Sequence, residues 1–340
     1  MIPLILFLRV CLCQFGQYVL FLLHTEKKQS MKNWALGVDV GGSHITCAAV
    51  DLDGRSLVNG SISETDVDNK APADTILDAW ASVLNQTLER LETNFVAGIG
   101  LGMPGPFEYH RGVARFSQVE KYYSLNGIDV DRELSARISI GRPVPLRFMN
   151  DASAFAAGEA WAGSASGVQR SISITLGTGF GSAFISNGIP VVAGNEVPNL
   201  GCVWHLPYRD SIADDYFSTR WLVKRYRELT GSTVNGAKAI ADEAPRSAPA
   251  RQVFLEYGNN MGEFFSPWLR KFGAEVLVVG GNITGAYPLF GPAFEEALRK
   301  NGADTRIRLS ALKEHAAILG SARMLDASFW EELKPVLPLM

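Results

Sequence analysis

Asn150-Asp151 closes an apolar run, residues 144–149. A carboxylate at a strand end, beside an amide that can hold a hydroxyl in place, is suited to taking a proton from an attacking alcohol. The pair also has a plainer use, since Asp151 can N-cap the Ala-rich helical stretch 152–161. The two roles do not exclude each other. Asp39 ends a second apolar run, 35–40. A carboxylate buried there without a partner is costly, so it calls for a cation or for donors from the glycines that follow. Magnesium carried by a nucleotide would satisfy it, because that ion takes one or two carboxylates with waters and phosphates. An aspartate capping its own turn is the plainer alternative.

Three glycine-rich turns end or join strand-like runs: Gly41-Gly42-Ser43-His44, Gly177-Thr178-Gly179-Phe180-Gly181 and Gly280-Gly281-Asn282. Glycine lets backbone N–H groups approach phosphate oxygens, since no Cβ intervenes. One such turn is ordinary hairpin geometry; three in series, with Asp39 before the first, point to a phosphate cradle. Neither the Walker A spacing nor a G-x-G-x-x-G at the head of a first helix occurs, so neither a P-loop nor a Rossmann site accounts for them.

The elements that must position these residues follow from periodicity. Runs 35–40 and 45–50 around the first turn predict a hairpin, with 57–63 returning as a third strand. Apolar residues Ile76, Leu77, Trp80, Val83, Leu84, Leu88 and Leu91, at three- and four-residue steps after Pro72, predict a helix packed by one face. Strands 96–101 and 144–149 each run into a polar tip, at the carboxyl ends where open α/β sheets bind ligands. After small residues 163–167 the theme recurs, with strand 171–176, a glycine turn over 177–182 and strand 183–186. Helices are expected at 216–229, 252–272 and 312–325, and a buried strand at 275–279. The repetition suggests two domains of one α/β topology.

Composition sets the limits. In 340 residues, 47 % hydrophobic and 20 % charged, there is room for two ordinary globular domains. The formal charge of -3, with Lys and Arg scattered, gives no footprint for nucleic acid. Four cysteines, Cys11, Cys13, Cys47 and Cys202, include no C-x-x-C pair for zinc or redox chemistry. Cys47, in an alternating apolar stretch, is expected to be a small core hydrophobe. Residues 1–30 differ from the rest. As a membrane span they carry Arg9 near the middle, opposing insertion by roughly 2.5–3.5 kcal/mol. As a signal peptide they lack a basic start and a small-residue cleavage site. The reading preferred is a translated leader outside the fold, with Met31 the natural first residue and no membrane partner.

Asp39-Val40-Gly41-Gly42-Ser43 resembles the phosphate loop of the ROK family of sugar kinases and repressors. Residues 100–106 (Gly-Leu-Gly-Met-Pro-Gly-Pro) resemble that family's G-x-P-G loop, Asn150-Asp151 its sugar-binding and catalytic pair, 176–181 its second phosphate turn, and Gly280-Gly281 its adenosine-side glycines. The resemblance spans most of 34–325. It implies two RNase H-like, actin-like ATPase domains with a cleft between them, a smaller one over 31–163 plus 308–340 and a larger one over 164–307. It implies ATP and Mg2+ as cofactors, the ion reached through Asp39, and Asp151 as general base for the C6 hydroxyl of a hexose. His44, Thr178 and Asn282 fall among the nucleotide-binding positions, and Gly105, Asn126 and Asn150 among the sugar contacts. It further implies a cytoplasmic enzyme acting as a homodimer on a small sugar.

The chain departs from the family pattern after residue 200. It reads Gly201-Cys202-Val203-Trp204-His205-Leu206-Pro207 where a G-E-x-G-H sugar motif and a cysteine-rich zinc site are usual. His205 fits the family histidine, Cys202 stands near the expected glutamate, and Asp214 is nearest the glutamate of a following L-E-x-Y-x-S segment. No structural zinc site is expected, and His205 must be braced by packing, with Trp204 and Tyr208 at hand. An N-acylhexosamine or fructose kinase of the same family is the enzymatic alternative. A non-catalytic sugar-binding regulator is the other class; the family's repressors place a winged-helix domain ahead of the core, which needs far more than thirty residues.

Overall fold

The computed structural model describes residues 33–91, 95–119 and 121–340; the expectation for residues 1–30 lies outside them. The chain opens with β1 (Trp34–Val40) and β2 (His44–Asp51), an antiparallel pair in which Asp39 faces Thr46. The expected third strand is instead two short ones, β3 (Ser56–Leu57) and β4 (Ser63–Asp66), both pairing with β2. Helix α1 (Ala73–Glu89) follows Pro72 and buries Ile76, Leu77, Trp80, Val83 and Leu84, the stripe its spacing predicts. Strand β5 (Ile99–Met103) lies parallel to β1. A small hairpin, β6 (Phe107–Glu108) and β7 (Val113–Ala114), and helix α2 (Val130–Arg137) lead to β8 (Leu146–Asn150), parallel to β5. The first sheet thus runs β3-β2-β1-β5-β8, with β4 beside β2. Cys47 is fully buried in it.

Helix α3 (Asp151–Ala162) crosses to a second sheet, β11-β10-β9-β14-β15. Its central pair, β9 (Arg170–Leu176) and β10 (Phe180–Ser186), repeats the β1–β2 arrangement, and β11 (Ile189–Pro190) extends it. After the hairpin β12 (Pro207–Tyr208) and β13 (Ser211–Ile212), the helix expected at 216–229 is two: α4 (Ala213–Phe217) and α5 (Thr219–Thr230), broken at extended Ser218. Helices α6 (Gly236–Glu243) and α7 (Ala248–Phe272) precede β14 (Val276–Gly280). Helix α8 (Tyr287–Lys300) then leads to β15 (Arg306–Leu309), which pairs with β14 and so continues past residue 307, the boundary expected from sequence. Helices α9 (His315–Arg323) and α10 (Ala327–Leu333) end the order, and a second aromatic-rich core surrounds Phe217, Tyr257, Phe265 and Phe294. Among the described residues no helix is long and apolar enough to cross a membrane.

Helices α3 and α9 are apolar on almost every side, which marks helices covered all round. They pack on each other; α3 also packs on β9 and β10, and α9 on β1, β2 and β5. Their crossing needs glycine. A Cβ on Gly158 would stand 1.9 Å from the Ala316 carbonyl oxygen, and one on Gly320 1.8 Å from that of Ala154.

Candidate functional site

The amino end of α3 is where the expected residues meet. Asn150, the last residue of β8, is its N-cap, its Oδ1 accepting from the Ser153 amide at 3.1 Å. Of the two uses weighed for Asp151, the N-cap falls to Asn150 instead, with Asp151 already inside the first turn. Asp151 Oδ1 accepts from Asn150 Nδ2 at 2.9 Å and from the Ala152 amide at 2.8 Å. Burial pushes the Asp151 carboxyl up to about 6, against the pull of those two bonds and of the Lys121 charge. A carboxyl so placed is mostly ionised at neutral pH yet more basic than a free carboxylate, as a general base requires.

Asp39, near the end of β1, has its carboxyl pushed up to about 7, first by burial, then by the negative charges of Asp151 and Glu314. Asp39 and Asp151 therefore face one space, and two carboxylates there invite a cation. The donor set, oxygen only and already short of counter-charge, suits magnesium.

The first glycine turn borders this space through Lys121, and the second and third abut α3 or each other. The first turn closes through Gly41 N–H to the His44 carbonyl at 2.9 Å, with the His44 ring against Gly41. The Tyr122 hydroxyl donates to the Gly41 carbonyl at 2.7 Å, Asn69 Nδ2 donates to that of Gly42, and Lys121 Nζ lies 2.7 Å from where a Gly42 Cβ would be. The second turn is shorter than expected. It spans Gly177-Thr178-Gly179, and Gly181 is already in β10 opposite Thr175, where a Cβ would stand 3.1 Å from the Ala152 methyl. At the third, Gly280 ends β14 and a Cβ there would strike the Phe155 ring at 2.4 Å. Gly281 has φ 85 and lies against the Leu176 backbone, so the third turn abuts the second. Asn282 opens a short 3-10 helix, Asn282–Ala286. Ala152 and Phe155 of α3 thus meet β10 and β14, while the Asp151 charge acts on Asp39 of β1.

The second turn is braced from outside. Thr219 N–H and Oγ1 both donate to the Gly177 carbonyl at 2.9 Å, and Arg220 Nη1 donates to that of Thr178 at 3.0 Å. Asp214 Oδ1 accepts the Phe180 amide at 2.8 Å, and its Oδ2 pairs with Arg220. Both carboxylate oxygens of Asp214 are engaged at the turn, so the structure does not place it with Asp151. Arg220 also lines a groove of about 760 Å³ with Tyr216, Trp221 and Lys224.

Of the other expected ligand contacts, Asn150 and Gly105 stand at the hydrogen-bond cluster of Asp151. Asn150 Nδ2 also donates to the Tyr109 hydroxyl at 3.3 Å, and a Cβ on Gly105 would be 3.3 Å from that same oxygen. Cys202 feels the Asp151 charge and, chiefly by burial, is held up at about 11, a neutral thiol. Its Sγ lies 3.8 Å from His205 Nδ1, and burial lowers the His205 pKa. Trp204 packs edge-on to the His205 ring, as braced packing requires; Tyr208 packs instead on Tyr216, Phe217 and Phe264. Asn126, exposed after a 3-10 turn, takes no part in the Asn150–Asp151–Tyr109 hydrogen bonds. Lys121, Tyr109, Glu314, Thr219 and Arg220 escape the sequence reading, since none lies in a motif and only the fold brings them to the turns. Among the described residues no group of three or more His, Cys, Asp or Glu is arranged to hold a metal ion.

The ROK family model matches residues 35–327. The chain belongs to the ROK family. This ROK protein is 26 % identical over 328 residues to the glucokinase of Thermotoga maritima, an overlap covering 85 % of this chain and 96 % of that one. It is 27 % identical over 225 residues to the N-acetyl-D-glucosamine kinase of Haemophilus influenzae, covering 60 % of this chain and 69 % of that one. Its fold is that of the Streptomyces griseus ROK glucokinase solved with glucose and AMPPNP, with TM-score 0.69, 21 % identity, and 86 % and 99 % of the two chains covered.

Proposed function

We propose that this ROK protein is an ATP-dependent sugar kinase that phosphorylates a hexose at its primary C6 hydroxyl. One observation carries the reading: the first turn of α3 places the Asp151 carboxylate where its charge acts on Asp39 of β1, while Ala152 and Phe155 of the same helix abut the strands bearing the second and third glycine turns. The two sheets are then the two actin-like domains, with ATP held between them by backbone amides of Gly42-Ser43, Thr178-Gly179 and Gly281-Asn282, while the Gly41 and Gly177 amides close their own turns. His44 flanks the first turn, and Gly181 and Gly280 let α3 come close. Magnesium, held through Asp39, would supply charge neutralisation on the phosphates. Asp151 takes the proton of the acceptor hydroxyl as its oxygen attacks, worth about 10²–10⁴ in rate. Asn150 and Tyr109 orient that carboxylate, and Gly105, Asn126, Cys202 and His205 border the sugar. Asp214 belongs in this reading to the nucleotide side.

The test is product analysis with ATP and a panel of hexoses, with Asp151→Asn as control. Asparagine keeps an oxygen for the Ala152 amide, so the fold is retained while the base is lost. The expected result is a sugar 6-phosphate from the native chain and a kcat lower by about 10²–10⁴ in the variant, with sugar affinity preserved. Equal turnover in Asp151→Asn sinks the assignment. A second reading, N-acylhexosamine as acceptor, is favoured by the neutral Cys202 thiol beside Asp151, which sets an uncharged wall against the sugar. Higher kcat/KM for an N-acylated hexosamine than for glucose would select it.

A further inference from the structure

Lys121 lies outside every motif of the sequence, yet its place in the fold is defined closely. The neighbouring Tyr122 adopts a left-handed backbone (φ 59) with its ring fully buried against Trp80 and Phe116. Its hydroxyl donates to the Gly41 carbonyl at 2.7 Å, and its amide donates to the Asn69 carbonyl at 2.8 Å. Asn69 in turn binds the Gly42 carbonyl through its side chain. The first glycine turn and the backbone of Lys121 are thereby one hydrogen-bonded unit. A left-handed non-glycine residue costs about 1–3 kcal/mol, so the buried ring and the two hydrogen bonds of Tyr122 must hold it there.

The ammonium comes to rest against Gly42, within the field of Asp151. Among the described residues it forms no ion pair within 4 Å, although Asp39 and Asp151 share the space. Lysine amines near carboxylates ordinarily pair with them, so an unpaired one held between a glycine turn and a general base is aimed at a different anion.

We propose that Lys121 is a catalytic residue of this chain, binding the phosphoryl group in flight between nucleotide and sugar. The inference rests on the kinase reading above. As the acceptor oxygen bonds to phosphorus, its proton passes to Asp151 and the bond to the leaving diphosphate oxygen breaks. Negative charge gathers on the transferring and leaving oxygens, and the Lys121 ammonium, already in place, meets it without reorganisation. The amine stays protonated throughout.

The experiment is steady-state kinetics of Lys121→Ala and Lys121→Arg with the hexose the native chain prefers. Removal of one such donor typically lowers kcat by about 10²–10³. Lys121→Ala should show that loss with its hexose KM within about threefold of native, and Lys121→Arg should recover at least about tenfold, since charge rather than shape is at issue. A kcat for Lys121→Ala within about threefold of native overturns the role while leaving the kinase reading intact, as does a loss confined to the KM for ATP. Absence of turnover by the native chain with every hexose overturns both.

Discussion

Asp39 should make the ligand-free protein less stable as pH rises through neutrality, and Asp39→Asn should remove that dependence. In the folded chain its carboxyl is pushed from an ordinary value of 3.8 to about 7, by burial first and by Asp151 and Glu314 second. Between those limits the folded state keeps a proton that the unfolded chain has released. Stability is therefore fully present below about pH 4 and is lost as pH rises toward 7. At roughly 1.4 kcal/mol per pH unit the penalty at pH 8 is about 4 kcal/mol. For a chain of this size that corresponds to a melting shift on the order of 5–10 °C. Melting curves would be recorded by circular dichroism in EDTA at pH 4.5 and pH 8. Asp39→Asn should match the native chain at pH 4.5, where both side chains are neutral, and exceed it at pH 8. The Asp151 carboxyl, raised to about 6, adds a slope of the same sign, smaller in the variant because the Asp39 charge that opposes its ionisation is gone, so the difference reports Asp39 together with its coupling to Asp151. The same variant should be stabilised less by magnesium and ATP, because the carboxylate that draws the ion is gone. A difference equal at the two pH values, or a variant less stable at pH 8, would refute the reasoning.

Two further expectations follow from contacts around the site. Arg220→Met removes the donors that hold the Thr178 carbonyl and the Asp214 carboxylate, so the second turn loosens. Hydrogen bonds to charged groups are worth about 1.5–3 kcal/mol, so the KM for ATP should rise by about tenfold or more while the hexose KM holds; an unchanged ATP dependence would show that Thr219 alone suffices. Gly320→Ala sets a methyl 1.8 Å from the Ala154 carbonyl oxygen, backbone against backbone. Overpacking of this kind costs about 1–3 kcal/mol or more, which for a chain of this length lowers the melting temperature by about 1.4 °C per kcal/mol, and a value indistinguishable from native, within about 1 °C, would contradict the crossing described.

What was legible in the sequence was what depends on neighbours in the chain. The β1–β2 and β9–β10 hairpins declare themselves by alternation around glycine, and α1 by its stripe. Helix α3 was legible from its alanines although nearly all its faces are buried. Helix α2, too polar to carry a stripe, was not. Helix α8 hides behind Pro288, Gly291 and Pro292, since Pro288 sits in the first turn where proline fits and Gly291 makes room for the Tyr287 ring. The site divided in the same way. Asp39, Asp151 and the turns lie in contiguous motifs, whereas Lys121 reaches Gly42 and Arg220 reaches Thr178 only once the fold has closed. Asp214, expected from its place in the motif to be a sugar contact, has both carboxylate oxygens engaged, by the Phe180 amide and by Arg220. Its partners lie beyond what spacing can show.

The α3–α9 crossing ties these observations into one mechanical argument. Asp151 begins α3, and seven residues on Gly158 presses against the Ala316 carbonyl of α9. On its other side α9 bears on the first sheet just as tightly: a Cβ on Gly37 of β1 would lie 2.0 Å from the Ile318 carbonyl oxygen, and one on Gly100 of β5 1.9 Å from that of Ser321. Gly37 is two residues from Asp39, and Glu314, whose charge acts on Asp39, is the N-cap residue of α9. Four backbone contacts without side chains between them therefore set the distance from β1 to the amino end of α3, and with it the separation of Asp39 and Asp151. Side-chain packing would allow that separation to drift by the tenths of an ångström that rotamers permit; backbone against backbone does not. Rigidity is thus concentrated at the two carboxylates to which the kinase proposal assigns a cation and the reacting hydroxyl, and on that proposal a methyl added at Gly158 or Gly320 should reduce turnover by more than its effect on melting would suggest.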